Sequence, residues 1–200
     1  MRGNYRSGCT RLPFDPLKKE TTMNQLMLAF GLATLLCVTI TGAFAAAPEL
    51  KVSESVEIAA PPDKVWAVIK NFKDLTWHPA IKASDATDGS NVGSVRTLDL
   101  GGPKLIERLT AYDDAMMTYS YAITDDPNNV KVVPVTAYES TIKVAKTAKG
   151  SKVTWSGHFR RADPAAKPAP DQNDAAATKA VTGIYRGGLD ALKKRVEGGS

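Results

Sequence analysis

The chain has 200 residues, a formal net charge of +5 and two cysteines, Cys9 and Cys37. Five of its 26 basic and two of its 21 acidic side chains precede Pro48, so the remainder carries a net charge of +2, which gives no case for nucleic-acid binding. Both cysteines also precede Pro48; beyond it there is no thiol, disulfide or cysteine metal ligand, and redox chemistry through sulfur is excluded there.

The first pattern along the chain is the apolar stretch Leu26–Ile40, which follows Lys18-Lys19 and runs into Ala43-Phe44-Ala45-Ala46-Ala47. Basic flank, apolar core and an A-x-A site read as a secretory leader. An uncleaved anchor is the alternative, since Leu26–Ala47 is just long enough to span a bilayer, although Gly31 and Gly42 interrupt it. A lipoprotein is excluded, because Leu36 stands where a lipidated Cys37 would need a small residue. The Arg-rich, unpatterned stretch Met1–Glu20 is unusual ahead of a leader, and Met23 is a second candidate start that would drop Lys18 and Lys19. The expected organisation is an N-terminal extension and signal peptide over residues 1–47 and one domain over 48–200, with no stable membrane insertion after cleavage.

The 153 residues from Pro48 suit a single core that buries about two thirds of its unfolded surface. Lys51–Ile58 alternates apolar and polar side chains, a half-buried strand. Pro61-Pro62-Asp63 then starts a helix with Val65, Trp66, Ile69 and Phe72 at helical spacing. Leu75–Ile81, containing Trp77-His78-Pro79, adds only a short helical turn, because Pro79 blocks continuation.

Strands in hairpin order follow: Gly93–Leu100, Lys104–Tyr112, Met116–Ile123, Val132–Ala145 and Lys152–Arg161, each closed by turn residues. Met117, Tyr119, Tyr121 and Ile123 share a face, as do Val153, Trp155, Gly157 and Phe159, and Pro134 favours an edge or a bulge. The run Ala162–Asp171, rich in Ala and Pro, reads as a solvated loop. Asp174–Val196 is a long helix whose stripe includes Ala177, Val181, Ile184, Tyr185, Leu189, Leu192 and Val196. These elements predict an α+β domain: a curved antiparallel sheet wrapped around the long C-terminal helix, with two short helices after the first strand. Gly183, Gly187 and Gly188 thin that helix where it faces the sheet, which leaves room either for a cavity or for close packing.

The order Ala60-Pro61-Pro62-Asp63-Lys64-Val65-Trp66, Trp77-His78-Pro79, Gly93-Ser94-Val95-Arg96, Glu107-Arg108-Leu109, Tyr119-Ser120-Tyr121, Trp155-Ser156-Gly157 and Gly187–Leu192 resembles the START-like, Bet v 1-like (SRPBCC) helix-grip proteins. Within them it resembles the polyketide cyclase/dehydrase branch. A narrower resemblance, carried by Val132–Ile142 and Asp174–Tyr185, is to the MxaD-like periplasmic proteins of bacterial methanol oxidation. That resemblance implies a periplasmic accessory role, with methanol dehydrogenase and its cytochrome c acceptor as partners. The loop Arg161–Asp171 is more Ala- and Pro-rich than expected of that group.

Read by themselves, the residues leave alternatives. His78, with an unperturbed pKa near neutrality, is either a proton carrier or a packed, hydrogen-bonded histidine at a cavity mouth. His158 belongs on the solvated side if the Trp155 and Phe159 face is buried. Asp113-Asp114 and Asp125-Asp126 sit at strand ends as turn formers. Two distant histidines and no cysteine beyond Pro48 predict no metal, and no cofactor fingerprint is present. Arg96 and Glu107 either face inward, pair, and orient a polar ligand, or form an outward cross-strand pair. Trp66, Phe72, Trp77, Tyr119, Tyr121, Tyr138, Trp155, Phe159 and Tyr185 line an apolar pocket with hydroxyl handles or are simply core. Three function classes follow: a non-enzymatic accessory of methanol oxidation, a carrier or sensor of a small hydrophobic ligand, and a cyclase- or dehydrase-type enzyme needing an inward acid/base pair.

Overall fold

The computed structural model describes residues 46–198, so the predicted leader lies outside the described residues. The elements run β1 (Leu50–Ile58), α1 (Pro62–Ile69), β2 (Ala83–Ala86), β3 (Val95–Asp99), β4 (Lys104–Asp113), β5 (Thr118–Ile123), α2 (Asn129–Val132), β6 (Val135–Thr147), β7 (Gly150–Arg161) and α3 (Asp174–Glu197). The strands form one seven-stranded antiparallel sheet in the order β1-β7-β6-β5-β4-β3-β2. This is the α+β helix-grip architecture, a curved sheet closed around α3. Among the described residues no helix is long and apolar enough to cross a membrane.

Each long element follows from its side-chain period. In β7, Val153, Trp155 and Phe159 are buried while Thr154, Ser156 and Arg160 alternate with them. In α3, Ala177, Val181, Tyr185, Leu189, Leu192 and Val196 fall three or four apart and bury one stripe against the sheet. Asn173 caps that helix, its side-chain oxygen accepting from the Ala176 N–H at 2.9 Å. The far end of α3 covers the β1 edge: Lys193 Nζ donates to the Glu57 carbonyl at 2.6 Å, and Glu197 accepts from the Ala59 N–H at 2.8 Å.

Three departures from the sequence reading have physical causes. Between β1 and β2 only α1 is helical; Leu75–Ile81 forms consecutive turns, with His78 N–H on the Leu75 carbonyl at 2.9 Å and Ile81 N–H on the His78 carbonyl at 3.0 Å. Pro79 lacks an N–H and cannot extend the first of these into a helix. The strand Ala83–Ala86 has no apolar alternation to betray it, since it is a short, largely exposed edge. The strand expected from Val132 starts at Val135, because Asn129–Val132 is a helical turn.

Pro134 precedes β6, and a bulge lies beyond it inside the strand. β6 lies inside the sheet, between β5 and β7, and its register with β7 shifts between Thr136 and Glu139, where Ala137 takes a φ of 48°. The extra residue lets Val135 and Tyr138 both be buried although they are three apart. The bulge therefore aims the Tyr138 ring into the concave side.

Candidate functional site

Between the concave sheet face, α3 and the turns of Leu75–Ile81 lies a cavity of about 50 Å³. Its wall is mostly aliphatic: Leu75 and Ile81 from the turns, Leu98 and Leu100 from β3 and its end, Leu105 and Ile123 from β4 and β5, with Val133 and Ile184. Polar character comes from few groups. Of the side chains that the sequence singles out, His78, Glu107, Tyr121, Tyr138 and Trp155 line the cavity. Trp66, Trp77, Arg96, Tyr119, Phe159 and Tyr185 stand behind its wall or elsewhere in the core.

Arg96 and Glu107 face inward. They sit directly opposite each other on β3 and β4 and are 0% and 4% exposed. Arg96 Nε and Nη2 donate to Glu107 Oε2 at 3.0 and 2.6 Å, and Nη1 donates to the Phe72 carbonyl at 2.9 Å. The guanidinium lies 4.1 Å from the Phe72 ring centroid and 5.2 Å from that of Tyr121, so it is desolvated between two π-faces. Burial alone pushes its pKa down, but the Glu107 carboxylate, helped by Tyr119 and Tyr121, outweighs this and holds it above the ordinary arginine value. Both guanidinium contacts to the carboxylate fall on Oε2. Among the described residues no hydrogen bond is made to Oε1, the second oxygen of a side chain that lines the cavity.

A chain of hydroxyls crosses the wall toward α3. Ser140 Oγ donates to the Ser156 carbonyl at 3.0 Å, which commits its only proton. At its 2.9 Å contact with Ser140, Tyr185 must therefore donate; Tyr138 in turn donates to Tyr185 at 2.8 Å, and Tyr121 to Tyr138 across a long 3.4 Å. Trp155 Nε1 donates to both Ser140 Oγ and Tyr121 Oη, at 2.9 and 3.0 Å. Tyr185 also stacks on the Trp155 ring, centroids 4.8 Å apart. Burial pushes the phenols of Tyr121 and Tyr138 well above the ordinary tyrosine value, reinforced by Glu107 for Tyr121 and by Tyr121 and Tyr185 for Tyr138. Burial likewise pushes Tyr185 up to about 12. Gly157 makes room for this chain, because a Cβ there would strike the Tyr185 hydroxyl and stand 2.8 Å from the Glu139 carbonyl.

His78 is a latch between the turns and α3. Its Nδ1 accepts from the Ala80 N–H at 3.1 Å, so its Nε2 carries the proton and donates to the Ile184 carbonyl at 2.9 Å. Both ring nitrogens are engaged, and burial lowers its pKa against the opposing effect of the Ile184 carbonyl. This is the packed histidine of the two readings, set edge-on to Trp155 with ring centroids 6.2 Å apart. Gly188 permits the approach, since a Cβ there would lie 2.6 Å from His78 Cδ2 and 2.7 Å from Trp155 Cζ3. Gly183 and Gly187 have nothing within 4 Å of a built Cβ, so the expected thinning of the helix is confined to one glycine.

The remaining candidates have other tasks. Trp66 donates its indole N–H to Asp114 at 2.7 Å, tying α1 to the β4–β5 turn. Asp113 accepts from the Met116 N–H at 2.9 Å, and Asp126 from the Asn128 N–H at 2.8 Å, as turn formers do. Phe159 packs near Tyr138, and the Trp77 Nε1 and Tyr119 hydroxyl are buried without a hydrogen-bond partner. His158 is on the solvated face, 3.8 Å from Glu139 across the β6–β7 pair. Sequence reasoning missed Ser140, whose polar identity at an inward position of β6 was the available signal. It also missed the aliphatic wall, which looks like ordinary core.

Residues 49–197 match the family described as polyketide cyclase/dehydrase and lipid transport. Among solved structures, XoxI from Bacillus cereus is 33% identical, with a TM-score of 0.59 over 74% of this chain and 94% of that one. A protein from Nitrosospira multiformis is 24% identical, with a TM-score of 0.60 over 74% and 96%. Norcoclaurine synthase from Thalictrum flavum, solved with dopamine and hydroxybenzaldehyde, is 17% identical, with a TM-score of 0.58 over 90% and 99%, a likeness of fold alone. No curated protein matches the chain.

Proposed function

The chain belongs to the polyketide cyclase/dehydrase and lipid transport family, and we propose that within it this protein is an exported, non-enzymatic carrier or sensor of a small hydrophobic ligand held between sheet and helix. The observation that carries this reading is the cavity itself: an aliphatic chamber in the concave face whose polar groups, one oxygen of Glu107 apart, are tied to one another. General acid/base work needs a group free to take or give a proton at the reacting atom. His78 has both nitrogens engaged, and the phenols of Tyr138 and Tyr185 donate along the chain to Ser140, which favours binding over turnover. At about 50 Å³ the chamber is well below the roughly 300–1,000 Å³ of drug-sized sites, so its occupant is small or enters as the Leu75–Ile81 turns move outward. Native mass spectrometry of the exported protein, purified without detergent, tests the reading. A ligand mass released on denaturation, or a rise in melting temperature with small apolar compounds, is expected; an empty protein insensitive to all of them refutes it.

A second reading is the accessory role in methanol oxidation, in the periplasm, between methanol dehydrogenase and cytochrome c. What supports it is the resemblance of Val132–Ile142, which spans the β6 bulge, and of Asp174–Tyr185, the first half of α3. Methanol-dependent cytochrome c reduction by purified methanol dehydrogenase, with and without this protein over a range of salt, tests it. A salt-sensitive rate increase supports docking. No change in rate and no complex would dismiss it.

A further inference from the structure

Resting on the ligand-binding reading, we infer that the cavity selects an electrically neutral ligand bearing a hydroxyl, whose O–H donates to Glu107 Oε1 and whose oxygen accepts from Tyr121. Charge comes first. The cavity's carboxylate is already matched by Arg96 at 2.6 Å, so the buried pair is neutral as a unit. An ammonium placed against Glu107 would leave a net buried cation, and a carboxylate would leave a net buried anion, each desolvated without a counter-charge.

The hydrogen-bond inventory then fixes the head group. Glu107 offers an oxygen without a partner among the described residues, and an ionised carboxylate only accepts. Tyr121 accepts from Trp155, and its own proton is spent on a contact of 3.4 Å to Tyr138, too long to be strong and easily redirected. Glu107 and Tyr121 stand near each other on β4 and β5, because Glu107 pairs with Ile123 and Leu109 with Tyr121. One acceptor beside one donor is the complement of a hydroxyl, which gives one hydrogen bond and receives one. An ether oxygen can only receive, and would leave Oε1 unsatisfied. The aliphatic wall of Leu98, Leu105 and Ile81 suits the hydrocarbon remainder.

The test uses isosteric probes: 1-butanol, methyl propyl ether and n-butylammonium, titrated into the domain while the amide resonances of Ile81, Leu105 and Ile123 are followed by NMR. Butanol is expected to bind at least tenfold more tightly than the ether, with the ammonium weaker still. Tyr121→Phe, which leaves Trp155 its bond to Ser140, should cut the butanol advantage severalfold and leave the ether unchanged. Glu107→Gln should do the same through the second contact, but it unpairs Arg96, so Tyr121→Phe is the decisive variant. Equal binding of alcohol and ether overturns the hydroxyl selection while leaving the apolar carrier intact. Preference for the ammonium overturns the neutrality argument. If none of the three perturbs the cavity, both this inference and the carrier reading fall.

Discussion

Arg96→Met isolates the energetics of the buried pair. The variant keeps an unbranched apolar stem in contact with Phe72 and Tyr121 but removes every donor that Glu107 Oε2 and the Phe72 carbonyl use. Breaking a buried ion pair from one side costs about 3–5 kcal/mol, because the remaining charge is stranded in low dielectric. With a typical urea dependence of about 1–3 kcal/mol per molar, a loss near 4 kcal/mol lowers the unfolding midpoint by about 2 M. The double variant Arg96→Met/Glu107→Leu removes the charge as well and should recover to within about 1–2 kcal/mol of the parent, since replacing a whole buried pair by apolar side chains is often neutral. Urea unfolding of the parent, Arg96→Met, Glu107→Leu and the double variant measures all of this. A single-variant loss below about 1 kcal/mol, or additive single variants, would refute the buried, coupled pair.

Four further outcomes follow from the site. Gly188→Ala drives a methyl into His78 and Trp155 and should cost about 1–3 kcal/mol by overpacking, whereas Gly187→Ala points into open space and should stabilise α3 by up to about 1 kcal/mol; thermal unfolding separates them. His78 has its pKa lowered by burial, so it contributes stability that is present above the unfolded value near 6.5 and lost as the pH falls through the lower folded value; His78→Phe should flatten that part of a stability-against-pH curve. Tyr121, Tyr138 and Tyr185 have raised folded pKa values, that of Tyr185 about 12, so an ultraviolet titration should show them protonated past pH 10 and ionising, with loss of stability, only above that; normal titration of every tyrosine contradicts the hydroxyl chain. Tyr185→Phe removes the acceptor for Tyr138 and the donor to Ser140 and should cost about 1–3 kcal/mol by calorimetry.

The legibility of this fold divides along physical lines. β1, β5, β7 and α3 were readable because each buries one face and so carries an unbroken period of two or of 3.6. The bulge in β6 was not marked where it falls, since the register shifts between Thr136 and Glu139, inside the strand and beyond Pro134, at residues that include neither proline nor glycine. The edge strand Ala83–Ala86 was not readable either, since an exposed edge has no apolar face to pattern, and the turn Asn129–Val132 was masked by the valines that continue into β6. In the site, alternation could put Arg96 and Glu107 on one face or the other, and only register sets them opposite each other and inward. Which aromatics line the cavity depends on tertiary placement. Trp155 and Phe159 share a strand face, yet only Trp155 reaches the chamber.

The cavity wall also explains why a charged pair persists where leucines would pack. A buried ion pair rarely stabilises a fold over apolar side chains of similar volume, and this one is incomplete, since Oε1 of Glu107, a residue that lines the chamber, accepts no hydrogen bond among the described residues. Its neighbours show that satisfying such groups is within the reach of this core. Ser140 makes contacts to Ser156, Tyr185 and Trp155, and Asn129, also buried, accepts from the Ile106 N–H at 2.9 Å while donating to the Thr124 carbonyl at 2.7 Å. Trp77 Nε1 and the Tyr119 hydroxyl also lack partners in this core, but of the three groups only Glu107 lines the chamber, and an open acceptor there beside a weakly held phenol proton has the form of a recognition site. The energetic cost of the pair then belongs to ligand selection, and the double variant that restores stability should be the one that abolishes the preference for butanol over its ether.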